Sequence, residues 1–470
     1  MIEQLKYFFQ PETIAIIGAS DKFYSWGNWI GANLNKYKNG NVYLVNPKHK
    51  EVLGKKTYSK VVDLPEDIDL AIVIVPASQV IETLEKCAVK NTKVVTIISA
   101  GFSETTEGQD LGLELKRIKK EYGIRMQGPN CAGFYNTSIP INASPLPDEY
   151  LRNSSSVAFI TQSGFVGNTL SIWGSNRHLP FGKYISVGNE ADLTITDYIE
   201  YFSEDPTVQS ILLYIEGIKN PGRFQRAVKK ISSKKPIVVW KTSETKAVRR
   251  AALSHTAHLI GSDKIFSGLI KQLGLIRIRR LEYGLPVSHS FLRHPPLRGD
   301  RFAIMMIGAG WGIILTDTLS TAGFKVPELS EQLKSKLKEI LPSYRVSVKN
   351  PIDFGAADTM EFRLMKKIIQ IVFESGEIDA FIIANIGEFA PFNEEARFLE
   401  IQQAKSLKRL EKNLKKPVYL FTLLNEADSS SVSKIKRKMN MYHSMDELLA
   451  VIKSQYFYYN RLKRNKDKRI

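Results

Sequence analysis

Cysteine is almost missing from this chain: Cys87 and Cys131 are the only two among 470 residues. Two thiols cannot build a disulfide scaffold or a cysteine-rich zinc site, and a reducing cytoplasm is the expected setting. Long apolar runs are missing too. The longest, such as 70–75, are strand-sized and fall far short of the roughly 20 residues that cross a bilayer, so no membrane role is expected. Met1-Ile2-Glu3-Gln4-Leu5-Lys6 has no basic stretch feeding an apolar core, which argues against a secretory leader. No short-period repeat recurs, which excludes a solenoid.

What is present is ordinary globular composition, 43% hydrophobic and 24% charged, so global disorder is excluded. The length suits about three domains at roughly 100–200 residues each. Lysine and arginine outnumber the acids 66 to 48, a net charge of +18. Such an excess favours anionic partners: nucleic acid, an acidic subunit or a phosphorylated small molecule. The basic residues are dispersed, and the one dense cluster, 461–469, reads as a solvated end. Nucleic-acid binding therefore rests on charge alone and is not expected.

The first 135 residues alternate short β-branched runs, at 14–17, 42–45, 70–75, 94–99 and 125–127, with helical stretches at 79–90 and 111–122. Continuous apolar runs suit parallel strands covered on both faces, and the pattern predicts a doubly wound α/β domain. A polar stretch, 137–156, separates a second α/β unit with strands at 157–161, 211–214 and 237–240. A connector at 286–300 leads to a third unit, with strands near 302–307, 380–385 and 418–422. The expected division is 1–145, 146–290 and 300–460.

Each unit opens alike, with an apolar strand, a small-residue turn and a helix. The turns are Gly18-Ala19-Ser20, Ser163-Gly164-Phe165-Val166-Gly167 and Gly308-Ala309-Gly310-Trp311-Gly312. Such turns bring backbone N–H groups to an anion at the positive end of a helix, although any tight strand-to-helix connection also favours glycine. A dinucleotide dehydrogenase needs G-x-G-x-x-G and an acidic residue ending the second strand. Here the turn lacks the matching third glycine, and the second strand ends in Val45-Asn46-Pro47-Lys48. A lysine at that place disfavours NAD and suits a ribose phosphate, which CoA and NADP both carry.

Among seven histidines, His255 and His258 stand out in a small, polar context, Ser254-His255-Thr256-Ala257-His258. That context suits a tight loop presenting a side chain. No third ligand accompanies the pair, so no metal site is expected.

Taken in order from about residue 8 to 460, the segments resemble the nucleoside-diphosphate-forming acyl-CoA synthetases related to succinyl-CoA synthetase. Within that group they resemble the α subunit of ADP-forming acetyl-CoA synthetase. The resemblance rests on Ile17-Gly18-Ala19-Ser20, Val45-Asn46-Pro47-Lys48, Ile98-Ser99-Ala100-Gly101-Phe102 and Gly128-Pro129-Asn130-Cys131. It continues through Thr161-Gln162-Ser163-Gly164, 186–192, Tyr214-Ile215-Glu216-Gly217-Ile218, Ser254-His255-Thr256, Gly261-Ser262-Asp263 and Asn350-Pro351-Ile352-Asp353.

The resemblance implies an N-terminal Rossmann-like CoA-binding domain followed by two flavodoxin-like α/β domains. CoA phosphate would lie on Gly18, Ala19 and Ser20, with Asn46, Pro47 and Lys48 at the nucleotide end. Val75, Pro76, Ser99, Ala100 and Gly101 would follow later strands on the same edge, with Asn130 and Cys131 near the thiol. Because CoA brings its own thiol, Cys131 reads as lining rather than as a nucleophile. Gln162, Ser163 and Gly164 would hold phosphate at a helix N-terminus. His255 would be transiently phosphorylated and Glu216 would orient its ring, since a neutral imidazole is nucleophilic near pH 7. The segments 128–134 and 164–167 are expected to line the acyl pocket.

The implied reaction is reversible, from acyl-CoA, ADP and phosphate to carboxylic acid, ATP and CoA. No ATP-grasp module fits in the length, so the resemblance implies a separate β subunit carrying ADP or ATP with Mg2+, in an α2β2 assembly. Lys241-Thr242-Ser243-Glu244, Ala257, His258 and the 308–312 turn depart from the common family pattern and imply a divergent branch. The alternatives are a non-catalytic CoA- or acyl-CoA-binding paralogue and, from the first domain alone, an NADP-dependent oxidoreductase.

Overall fold

The computed structural model describes residues 3–105, 107–242, 263–341, 347–354 and 362–467. The chain forms two compact units, Met1–Arg277 and Ile278–Ile470. Among the described residues no helix is long and apolar enough to cross a membrane.

The first unit contains two seven-stranded sheets. The first is built from β1 (Thr13–Ile17), β2 (Asn41–Val45), β3 (Glu51–Val52), β4 (Lys55–Tyr58), β5 (Leu70–Val73), β6 (Val94–Ile97) and β7 (Arg125–Gln127). Their order is β3-β4-β2-β1-β5-β6-β7, parallel apart from the short β3–β4 hairpin. Without β3 this is the doubly wound arrangement with its switch point between β1 and β5. The five residues of β1 are all buried, as its unbroken apolar run predicts.

The second sheet comprises β8 (Phe134–Asn136), β9 (Ile141–Ala143), β10 (Val157–Thr161), β11 (Lys183–Ser186), β12 (Ser210–Ile215), β13 (Ile237–Lys241) and β14 (Ile276–Arg277). The order is β14-β13-β12-β10-β11-β8-β9, and its five parallel strands follow the flavodoxin-like pattern with the switch between β10 and β12. β8 and β9 add an antiparallel edge. The stretch at 137–156 is thus no free connector. β9 lies within it, and the Asn33 amide donates to the carbonyls of Ser144 and Leu146, both at 2.9 Å, tying it to the first sheet's helix Trp26–Leu34. Strands of only three residues escape a pattern search that looks for longer apolar runs.

The second unit carries β15 (Phe302–Met306), β16 (Ile352–Asp353), β17 (Ala380–Ala384), β18 (Val418–Phe421) and β19 (Met441–Tyr442), all parallel in the order β16-β15-β17-β18-β19. This is again a flavodoxin-like order. The connector expected at 286–300 begins instead inside a helix, Gly284–Arg293, because Pro286 sits in its first turn, where a missing N–H costs nothing. His294 is a core residue: Nδ1 lies 2.6 Å from Glu411 and Nε2 2.9 Å from the Tyr442 hydroxyl.

Candidate active site

The turn after β1 is dictated by backbone proximity. Gly18 has φ +97°, and a Cβ there would fall 2.3 Å from the Ile74 carbonyl oxygen, so only glycine fits. Its N–H donates to Val45 O at 3.1 Å. Asn46 ties the neighbouring loops together: its amide donates to Ala19 O at 2.9 Å, and its oxygen accepts the N–H groups of Lys48 and His49 at 2.8 and 3.1 Å. The Ser20 hydroxyl accepts from Lys22 N–H at 3.1 Å. Pro47 and Lys48 are exposed.

Within the first unit, the carboxyl ends of both sheets open into one cleft of about 550 Å³. From the first sheet Val75, Ser99, Ala100, Asn130 and Cys131 line it; from the second, Gln162, Ser163, Gly164 and Glu216 do. The Gly18–Ser20 turn, Asn46, Pro47, Lys48, Pro76 and Gly101 lie on the same sheet edge but outside the lining, Gly18 packing behind the lining residue Ile74. The Ser99 hydroxyl donates to Val75 O at 2.5 Å, and Asn130 N–H to Ser99 O at 2.9 Å. Burial pushes the Cys131 thiol up to about 12, so it is neutral at pH 7 and its Sγ–H points to Ile97 O at 3.3 Å.

The helix Gly164–Asn176 starts in this cleft. Its first internal bond is Gly167 N–H to Ser163 O at 3.1 Å, which leaves the N–H groups of Gly164, Phe165 and Val166 without an intrahelical partner. Thr161 Oγ fixes the turn by accepting Ser163 N–H at 3.1 Å and donating to Ser163 O at 2.9 Å. A helix end with no side-chain cap is a place for an anion. Among the described lining residues Glu216 is the only charged side chain, so the backbone is what that wall offers to a phosphate.

Gln162 works inside the protein. Its oxygen accepts the N–H groups of Glu216 and Gly217 at 2.6 and 3.1 Å, and its Nε2 donates to Gly217 O at 2.8 Å and Glu190 at 3.2 Å. It thereby locks the turn after β12 to the turn after β10. The Tyr214 phenol is pushed up by burial and then by the adjoining Glu216 carboxylate. The ring of Tyr214 stacks on Trp240 at 4.8 Å. His255 and His258 fall in 243–262, outside the described residues. The chain before that segment ends at Thr242, whose N–H donates to Ile215 O at 3.3 Å, next to Glu216.

Sequence reasoning missed Asn189 and Glu190, although both stand in the 186–192 segment. Glu190 has φ +54° and is 3% exposed. Its Oε1 accepts Ile195 N–H at 2.7 Å, and its backbone carbonyl takes Lys219 Nζ at 2.9 Å. Burial raises its carboxyl to about 7 against the lowering influence of Ile195 N–H, Lys219 and Gln162. The sign follows from linkage. Below about pH 4.5 the acid is neutral folded and unfolded; between there and 7 only the unfolded chain ionises, so stability falls as pH rises and then levels. At ~1.4 kcal/mol per unit the loss is on the order of 3 kcal/mol. Urea unfolding at pH 5 and pH 8 is expected to show this loss in the native chain relative to Glu190→Gln; an equal pH dependence in both would refute it.

Trp26 was missed as well, whereas Phe165 falls within the 164–167 segment expected to line the acyl pocket. Each is an aromatic at the start of a helix following a glycine turn, and both line the cleft. For Trp26 the only sequence signal was that position.

A Rossmann-type sheet and a flavodoxin-type sheet that open edge to edge on one ligand-sized cleft define a doubly wound, two-sheet class of α/β protein. Residues 12–137 match the CoA binding domain family, and residues 154–289 match the succinyl-CoA ligase like flavodoxin domain. The chain is 39% identical over 369 residues to the acetate–CoA ligase [ADP-forming] II subunit alpha of Pyrococcus furiosus, covering 78% of this chain and 80% of that one. It is 37% identical over 358 residues to the acetate–CoA ligase [ADP-forming] of Methanocaldococcus jannaschii. That match takes 76% of this chain but about half, 50%, of the longer relative. Among solved structures, the acetyl-coenzyme A synthetase 1 of Ca. Korarchaeum cryptofilum, in complex with phosphate and ADP, superposes with a TM-score of 0.85 at 28% identity, over 98% of this chain and 97% of that one. The chain belongs to the family of the ADP-forming acetate–CoA ligase α subunits.

Proposed function

We propose that the chain is the α subunit of an ADP-forming acyl-CoA synthetase, working in the cytoplasm beside a separate ATP-grasp β subunit in an α2β2 assembly. ADP or ATP, with its Mg2+, is assigned to that partner. The reading includes three domains at 1–145, 146–290 and 300–460. The observation that carries it is the cleft, where an uncapped helix N-terminus and Glu216 face the edge of a CoA-binding sheet.

CoA lies along the first sheet's edge, from the Gly18 turn and Lys48 toward Asn130 and Cys131. Phosphate bound at the N–H groups after Ser163 attacks the thioester carbonyl, giving an acyl phosphate and releasing the thiol. His255, oriented by Glu216, takes the phosphoryl group as the carboxylate leaves, and the phosphohistidine passes it to ADP. The attack on the thioester depends on position and on a preorganised dipole, and the relay to ADP adds one covalent step, the transient P–N bond on His255.

The test is labelling of the purified chain with γ-labelled ATP and Mg2+ beside an ATP-grasp partner proven on another α subunit. Acid-labile, alkali-stable label on His255, discharged by ADP, is the expected result. Label on another residue overturns the nucleophile; no label at all, with CoA still bound, favours the non-catalytic CoA-binding paralogue.

A further inference from the structure

Two aromatic rings, on helices that follow strands of different sheets, adjoin in the lining of the cleft. Trp26 is the first residue of Trp26–Leu34, and Phe165 the second of Gly164–Asn176. Their rings meet edge to face, 6.3 Å between centroids at 77°. Phe165 is 76% exposed, a large apolar surface left uncovered inside a ligand-sized cleft. Trp26 is braced from behind by Trp29 at 6.1 Å, so its ring has a fixed backing. Neither ring has a role in the chemistry described above.

We propose that Trp26 and Phe165 form the wall against which the acyl group packs, and that this wall limits the length of the acid. The inference rests on the proposed function in one respect, the placing of phosphate at the N–H groups of Gly164, Phe165 and Val166. In an acyl phosphate the carbonyl carbon is two bonds from phosphorus. The acyl group therefore lies within a side chain's reach of that helix end. The thiol side of the site is occupied by Cys131 and Ala132, and Ala132 is pressed against Gly164, where an added Cβ would sit 2.6 Å from Ala132 Cβ. With that side closed, the acyl chain extends toward the rings. An apolar wall of two aromatics favours an apolar chain, and each methylene it excludes is worth roughly 10–200-fold in discrimination.

The test reads binding and turnover separately. Calorimetry on the full chain with CoA, acetyl-CoA and hexanoyl-CoA is compared for the native protein, Trp26→Ala and Phe165→Ala. Phe165 is exposed, so its variant keeps the inference testable even where Trp26→Ala folds poorly. The expected result is a CoA Kd unchanged within about 2-fold and a hexanoyl-to-acetyl affinity ratio raised at least ~10-fold in each variant. An unchanged ratio in the folded variants overturns the wall. Steady-state assays with the β partner, acetate and hexanoate should show the same shift in kcat/KM. A shift in binding without acid-dependent turnover by any form keeps the wall and overturns the synthetase reading instead.

Discussion

Gly164→Ala is expected to lower turnover by about 100-fold or more while leaving CoA affinity within a fewfold of the native chain. The added Cβ would stand 2.6 Å from Ala132 Cβ and 3.3 Å from Ala132 N. Carbon atoms settle at roughly 3.5–4.0 Å, so the helix end must retreat by about 1 Å. Ala132 cannot yield instead, because its side chain is only a Cβ and its N–H is held by Ser186 Oγ at 3.0 Å. The displaced groups are the free N–H donors proposed to grip phosphate, and a shift near 1 Å in a reacting group costs about 100-fold. Alanine is otherwise acceptable here: the backbone is not left-handed, and overpacking costs only about 1–3 kcal/mol. Steady-state rates beside CoA calorimetry and a thermal melt separate the two effects. Turnover within about 5-fold of native would remove the phosphate from this helix end.

Asp192→Ala is expected to cost about 3 kcal/mol of stability, because it takes from the buried Arg125 its nearer carboxylate and leaves it only the longer pair to Asp197 at 3.7 Å. Its side chain is 0% exposed and meets Arg125, itself 7% exposed, at 2.8 Å. The same carboxylate accepts Met126 N–H at 3.0 Å and pairs with Lys119 at 2.5 Å. Arg125 and Met126 belong to β7 of the first sheet, whereas Asp192 ends the 186–192 segment that follows β11 of the second. This one carboxylate thus pins the two sheet edges that frame the cleft. The double variant Arg125→Met, Asp192→Ala is expected to regain part of the loss, because it removes both charges of the close pair while Asp197 keeps Arg223 at 2.9 Å. Urea unfolding of both variants decides the matter; a single-variant loss under 1 kcal/mol would show that other contacts join the sheets.

Both effects come from the same design. The two sheets of the first unit bring their switch-point edges to one cleft, so the turns that serve one sheet also wall the other's ligand site. Asn189 illustrates the coupling. Its amide donates to Glu104 of the first sheet's loop, while its oxygen accepts from Asn130 at 3.3 Å. Gln162 and Glu190 then hold the turn that presents Glu216.

The parallel cores of the three α/β sheets are legible in the chain, since the unbroken apolar runs of β1, β5, β10 and β12 suit strands buried on both faces, while the antiparallel β3 and β8–β9 additions are not. The sequence by itself also determined the strand-to-helix turns, because Gly18 and Gly164 mark places where the backbone must pass close to another chain segment. Ordered motifs then led to Glu216 and Cys131, and both line the cleft. Only the packed sheets show what those motifs touch. Gln162 lines the cleft beside Ser163, and its amide also bonds Glu216, Gly217 and Glu190, residues 28 to 55 positions away that no local motif connects to it. Trp26 and Phe165 lie 139 positions apart in the chain and become one wall only when two sheets meet. A local pattern records which face of a strand is buried and where a turn is tight. It carries no record of which distant turn will stand opposite, because that is fixed by the packing of whole sheets and by buried pairs such as Arg125 and Asp192.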